Sequence, residues 1–128
     1  MIDDAFELVA QFQLSANQPV AKYPTKLASE RVQCRKKWMQ EEINEFVEAT
    51  DIYEQVDALT DLLYYLLGAY VEIGVKPDSV FQIVHNSNMA KLFCSEGVIK
   101  DTDGKVEKPK EWKHPDDEIR KAIDSLMP

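Results

Sequence analysis

Two acidic runs hold most of the side chains with which this sequence could do chemistry. The first is Glu41-Glu42-Ile43-Asn44-Glu45; the second is Asp57-Ala58-Leu59-Thr60-Asp61, which continues as Leu62-Leu63-Tyr64-Tyr65-Leu66-Leu67-Gly68. At about 100° per residue on an α-helix, Glu41, Glu42 and Glu45 fall within roughly one quadrant. Arg31, Arg35 and Trp38 fall on or beside that face, and Val32, Met39, Ile43, Phe46 and Val47 form the adjoining apolar stripe. On the second helix Asp57, Asp61, Gly68 and Glu72 share one stripe, while leucines cover most of the rest. A helix apolar on nearly all sides is buried on several of them, where an unpaired carboxylate is costly. A divalent cation between two carboxylate-bearing helices removes that cost, and such an all-oxygen ligand set suits Mg2+ or Mn2+. Iron is disfavoured: the only histidines are His85 and His114, and neither has a glutamate three residues before it. The plainer alternative is that the three glutamates are a solvated acidic face. The Asp57/Asp61 strip lies in a helix too apolar to be mere surface, which moves the balance to the metal.

The elements that must position these groups read mostly as helices. Asp3 or Asp4 can cap a first helix carrying Phe6, Val9, Ala10 and Phe12. Asn17-Gln18-Pro19 and Tyr23-Pro24 then impose an irregular segment. A long helix from near Leu27 to about Thr50 carries the glutamates. Asp51 can cap the next helix, which stops at Gly74 in a left-handed C-terminal position. Pro77-Asp78 restarts a helix with Val80, Phe81, Val84, Met89 and Leu92, helical until about Cys94. Beyond Gly97, Val98-Ile99-Lys100, Asp101-Thr102-Asp103-Gly104 and Lys105-Val106-Glu107 read as a short β-hairpin. Pro115-Asp116-Asp117 opens a last amphipathic helix with Ile119, Ala122, Ile123 and Leu126, expected to run to Met127. The expected fold class is all-α: a bundle of four to five helices with a short C-terminal β-hairpin. Its 128 residues form one domain, with a helical core over about 3–94 and the hairpin and last helix over about 97–127.

Composition narrows the partners. Fifteen basic against twenty-three acidic side chains give a net charge of −8, which argues against nonspecific binding to nucleic acid or an anionic membrane. Cys34 and Cys94 lack C-x-x-C spacing and read as free thiols of a reducing compartment. The N-terminal Met1-Ile2-Asp3-Asp4 has neither a basic region nor an apolar core, so no secretion signal is expected. The longest apolar run, Leu62 to Val71, is too short to span a bilayer. The expectation is a soluble, cytoplasmic protein.

Glu41-Glu42-x-x-Glu45 followed by Asp61-Leu62-Leu63-Tyr64 resembles the all-α nucleoside triphosphate pyrophosphohydrolases, which include MazG-like enzymes, dimeric dUTPases and phosphoribosyl-ATP pyrophosphohydrolase-like proteins. The likeness extends to His85-Asn86-Ser87-Asn88-Met89-Ala90-Lys91 and to Asp103-Gly104-Lys105-Val106-Glu107-Lys108-Pro109, and covers roughly residues 6–116. One departure stands out. The family's second half is usually Glu-x-x-Asp, and with Asp61 as its aspartate the glutamate position holds Ala58. Asp57, i to i+4 from Asp61, is the preferred substitute, with Glu54 (in a literal Glu54-x-x-Asp57 match) held in reserve.

The resemblance implies hydrolysis of a nucleoside triphosphate (NTP or dNTP) between its α and β phosphates, with Mg2+ as cofactor and Mn2+ as a possible replacement, in a nucleotide house-cleaning role. Glu42, Glu45, Asp57 and Asp61 would hold metal, and Glu41 would orient or deprotonate the attacking water. Asn88 and Lys91, three apart on a helix, would contact phosphate or sugar, and Lys105 and Lys108 would close over the phosphates. Arg35 and Trp38 would line the nucleotide pocket, and Gln13 would read a base edge. Without the resemblance, Trp38 reads as core, Arg35 as a salt-bridge partner, Asn88 as a capping amide and the lysines as solvated. Tyr64 and Tyr65 read as core or dimer-interface aromatics. The apolar girth of the 51–73 helix, together with the resemblance, implies a homodimer or a dimer of dimers. A reading from another class stays open: a non-catalytic acidic helical module that pairs with basic partners, or an antitoxin-like regulatory partner. It implies no metal dependence.

Overall fold

A computed structural model describes residues 1–93 and 97–128. Among these residues the secondary structure is helical: α1 (Ile2–Ser15), α2 (Ser29–Glu48), α3 (Ile52–Ile73), α4 (Pro77–Ala90) and α5 (Asp116–Asp124), with a 3-10 turn over Lys91–Phe93. Among the described residues no single helix is long and apolar enough to cross a membrane. The chain divides into two compact units, Met1–Pro77 with Leu126–Pro128, and Asp78–Ser125.

In the first unit α3 is the central helix, packed by α1 and by α2. Its limits follow from local chemistry. The Asp51 side chain accepts a hydrogen bond from the Glu54 N–H at 2.8 Å, and the Glu54 carboxylate accepts one from the Thr50 N–H just before the cap at 2.9 Å. At the other end Gly74 takes φ 79°, and a side chain there would come within 2.5 Å of the Tyr23 carbonyl oxygen. The segment after α1 runs along this end of α3. The Ala21 and Thr25 N–H groups donate to Val71 O and Ile73 O at 3.1 and 2.7 Å, satisfying carbonyls that the helix leaves open. Phe6 and Val9 of α1 meet Leu67 and Val71 of α3 in the apolar core, flanked by Ile2, Ala5, Ala10 and Tyr70. The first helix starts two to three residues earlier than Asp3 or Asp4 as cap requires: Met1 is the N-cap, and both aspartates sit in the first turn, where they favour the positive end of the helix.

The second unit carries α4, α5 and the tail between them. The Trp112 indole N–H donates to Ser87 O at 2.8 Å, tying the tail to α4. The expected β-hairpin is not seen: among the described residues one antiparallel bridge joins Lys100 to Val106, and no strand or sheet forms. The reason is local. Asp101 Oδ1 accepts the N–H groups of Asp103 and Lys105 at 2.9 and 3.0 Å, which winds the chain into a turn whose Gly104 has φ 84°. Pro109 follows three residues after the bridge and cannot donate to a ladder. The last helix ends at Asp124, short of Met127. Cys34 is a half-buried free thiol; Cys94 lies outside the described residues.

Candidate active site

Facing positions of α2 and α3 bring carboxylates together. One oxygen each from Glu42, Glu45 and Asp61 lie within 4.8 Å of one another. Glu42 is the buried member at 9 % exposure, while Glu45 and Asp61 reach solvent. Among the described residues its Oε2 has no hydrogen-bond partner. Burial first, and then the neighbouring carboxylates of Glu45, Asp61 and Asp57, raise the Glu42 carboxyl to about 7. A buried carboxylate oxygen without a donor, in a set made only of carboxylates, has the chemistry of a hard-cation ligand.

The other expected site residues separate into groups. Asp57 is exposed and shares a surface depression with Glu45, Glu48, Ala49 and Glu54, beside the converging acids. The Glu54 carboxylate is engaged by the Thr50 N–H at the start of α3, which leaves Asp57 the freer of the two alternatives. Glu41 is exposed and lines a different depression with Lys36, Lys37 and Asn44, outside the converging triad. Ala58 is buried at 2 %, so the position where the motif usually carries a glutamate points into the packing and offers no oxygen.

About two and three turns toward the N-terminus of α2 from Glu42, the chemistry changes sign. Arg35 is buried, and its Nε donates to Glu72 Oε2; Arg31 Nε donates to Glu72 Oε1 at 2.8 Å. Burial alone would push the Glu72 carboxyl up, but the two guanidinium groups outweigh it and hold it below the ordinary range. Arg35 Nη2 also donates to Gln13 Oε1 at 3.1 Å, and Gln13 Nε2 donates to Pro19 O at 2.8 Å. Trp38 is half-buried, with Arg31 and Arg35 over its ring at 5.4 and 5.1 Å and Tyr65 at 6.1 Å. Sequence reasoning placed Glu72 and Gly68 on the acidic stripe without naming Arg35 and Arg31 as their partners.

A family model of phosphoribosyl-ATP pyrophosphohydrolase matches residues 6–88. The chain belongs to the phosphoribosyl-ATP pyrophosphohydrolase family. That family acts on the pyrophosphate bond of a nucleotide, so the chain is a nucleotide pyrophosphohydrolase by class, and the matched span contains the whole α2/α3 carboxylate cluster. No curated protein matches the chain significantly.

Beyond or near the edge of the matched span lie the residues of the second unit. In this pyrophosphohydrolase Asn88 is exposed on α4, and Lys91 follows in the 3-10 turn. The Lys91 and Lys108 ammonium groups stand 4.7 and 5.7 Å from the Trp112 ring centre, so the indole gathers two cations. Lys105 is exposed in the Asp101 turn, where its backbone rather than its ammonium is engaged. Sequence reasoning missed Trp112; its signal was a bulky aromatic between Glu111 and Lys113 in an otherwise polar tail.

Proposed function

We propose that the chain hydrolyses a nucleoside triphosphate, NTP or dNTP, between its α and β phosphates, with Mg2+ or Mn2+ held by Glu42, Glu45 and Asp61 and with Asp57 as a further ligand. The observation that carries the reading is the buried Glu42 oxygen without a donor, facing two more carboxylates within 4.8 Å. When bound, the cation supplies charge neutralisation of the triphosphate and a lowered pKa for its water. The chain's own residues do the rest. Glu42 fixes the inner edge of the site, and Glu45 and Asp61 its open edge. Glu41, beside the triad in sequence, is proposed to handle the attacking water. Lys91 and Lys108, held by Trp112, and Asn88 and Lys105 of the same unit are proposed to contact phosphate oxygens or sugar. Arg35 and Trp38 are proposed to line the nucleoside end.

We further propose a homodimer. Leu59, Leu63, Leu66 and Val56 of α3 are between 42 and 55 % exposed, and Tyr53 is 81 % exposed. A second copy covering this face recovers apolar burial on the order of 1.5–3 kcal/mol for each leucine. A purely acidic interaction module is the weaker reading, because a solvated acidic face does not leave a carboxylate oxygen buried without a donor. The test is a pyrophosphate-release screen across canonical and deoxy nucleoside triphosphates with Mg2+ or Mn2+. Release of pyrophosphate that stops in EDTA is the expected outcome; no release from any nucleotide would sink the hydrolase.

A further inference from the structure

A cavity walled by Phe12, Trp38, Tyr64 and Tyr65 has a volume of about 230 Å3. That is below the roughly 300–1,000 Å3 of drug-sized pockets, so it has room for one planar ring system and not for a whole nucleotide. Phe12 meets Tyr64 edge-on at 5.8 Å, and Trp38 meets Tyr65 at 6.1 Å. Trp38 precedes Glu42 by four residues on α2, and Tyr65 follows Asp61 by four on α3, so these walls stand about 6 Å from the triad along the same helix pair. Aromatic walls alone hold any base, because every base has a π-face to stack. Choosing among bases takes a hydrogen-bonding group held in a fixed place at the edge of the ring.

Gln18 lines the same cavity, and the way α1 ends fixes its backbone. Asn17 takes φ 57°, in the left-handed region that asparagine enters more readily than most residues. The Gln18 N–H donates to Gln13 O at 2.8 Å and the Asn17 N–H to Leu14 O at 3.2 Å, the paired bonds of a Schellman turn. Pro19 then locks the next φ. The Gln13 side chain holds the turn from its other side. Its Nε2 donates to Pro19 O at 2.8 Å, and its Oε1 accepts from Arg35 Nη2 at 3.1 Å. Gln13 and Arg35 are exposed by only 2 and 4 %, and Arg35 is held in turn by Glu72 of α3. A buried relay through α3, α2 and α1 therefore sets where the turn stands against the aromatic walls. Both ends of the Gln13 carboxamide are spent on that relay. The Gln18 carboxamide takes no part in it and is exposed, with one acceptor and two donors to offer.

We infer that Gln18 is the specificity-determining residue of the nucleoside end: its carboxamide, held at the cavity by the Gln13 relay, reads the edge of a base stacked on the aromatic walls. The inference rests on the nucleotide reading above and adds to Arg35 and Trp38 the group that tells one base from another. A carboxamide pairs with a base edge that carries a donor beside an acceptor. The four bases place these groups at different points of the ring. An amide anchored on a fixed turn therefore meets one base well and leaves a partner unmatched against the others, which costs affinity.

The test uses the full chain in EDTA with adenosine, guanosine, cytidine and uridine, so that neither metal nor turnover enters. The chain has two tryptophans, and their indole N–H signals are followed separately by NMR, with Trp112→Phe assigning them. The parent is expected to show a saturable Trp38 shift and a spread of about tenfold or more between its tightest and weakest nucleoside. Gln18→Leu changes an exposed side chain, and its thermal unfolding is expected to match the parent. Its four affinities are expected to fall within about threefold of one another, because stacking remains and the edge contact is gone. A general loosening of the site weakens all four alike and leaves the spread, so the spread isolates the role of the amide. A Gln18→Leu variant that keeps the parent's spread overturns the inference. So does a parent that binds all four equally, or one whose Trp38 signal stays still with every nucleoside at millimolar concentration. Pyrophosphate release by a chain with a silent Trp38 defeats this inference alone, and Gln18-dependent selection without pyrophosphate release defeats the hydrolase alone.

Discussion

Glu42→Gln offers the most direct measure of the carboxylate cluster, because it removes a charge and keeps the shape. In the folded chain the Glu42 carboxyl titrates near 7, against 4.5 for an unperturbed glutamate. Below about pH 4.5 the group is protonated in both the folded and the unfolded chain, and its contribution to stability is fully present. Between 4.5 and 7 the folded chain keeps a proton that the unfolded chain has released, so stability falls as pH rises. Above 7 the loss is complete. At about 1.4 kcal/mol per pK unit the ceiling is roughly 3 kcal/mol, and the access of Glu45 and Asp61 to water reduces the expectation to about 1–2 kcal/mol. The glutamine variant carries no such loss. In EDTA it is therefore expected to match the parent at pH 4.5 and to exceed it by about 1–2 kcal/mol at pH 8. Urea unfolding followed by circular dichroism at one fixed protein concentration gives the difference at each pH.

Mn2+ reverses the order. Cation and proton compete for Glu42, so the apparent affinity of the parent is expected to weaken about tenfold from pH 8 to pH 6. Isothermal titration of the glutamine variant should show weaker binding with a flatter pH profile. A stability difference between variant and parent that does not change from pH 4.5 to pH 8 would refute the argument, because it would mean that Glu42 is neither covered nor crowded.

Within the glutamates, Glu41→Gln is expected to lose turnover while keeping Mn2+ and nucleotide affinity, whereas Glu42→Gln loses Mn2+ affinity as well; equal losses of Mn2+ binding would show that the roles are divided wrongly. Gly68→Ala should destabilise the fold by about 2–4 kcal/mol despite the better helix propensity of alanine, because its methyl displaces Arg35 from Glu72 and Gln13; an unchanged urea midpoint would contradict the packing. Sedimentation equilibrium at micromolar concentration is expected to give at least twice the 14.7 kDa chain mass, and a species at the chain mass refutes the obligate dimer.

The helices were legible because their signals are short-range. Asp51 and Gly74 bound α3 by chemistry contained within four residues, and the periodicity of the glutamates and leucines puts carboxylates on two facing stripes. The tail was less legible. Val98–Glu107 has the alternation and turn residues of a hairpin, yet the Asp101 side chain takes up the N–H groups of Asp103 and Lys105 and a single bridge is all that forms. Competition of a side chain with a ladder depends on its rotamer, which composition does not show. Arg35 and Glu72 are 37 residues apart, and their meeting depends on the register of α2 against α3. A glycine inside a leucine-rich helix was the local sign that something must approach closely there.

That register settles what the acidic stripe of α3 can do. Asp61 and Glu72 are eleven residues apart, about three helical turns, and share a side of α3 with Gly68 between them. At the Glu72 end α2 supplies Arg31 and Arg35, so the carboxylate is already balanced, its pKa lies below the ordinary range, and a cation there would have to displace two guanidinium groups. At the Asp61 end α2 supplies Glu42 and Glu45, the charge is unbalanced, and the buried member is raised to about 7. Both ends look alike on α3 alone. Arg35 precedes Glu42 by seven residues, nearly two turns, so a slide of that length would bring Arg35 to the level of Glu42, opposite Asp61, and break up the carboxylate cluster. The contacts at Gly68, the one glycine of α3, admit Arg35 and Gln13 at this level of the helix and favour the register that sets the carboxylates of the triad opposite one another.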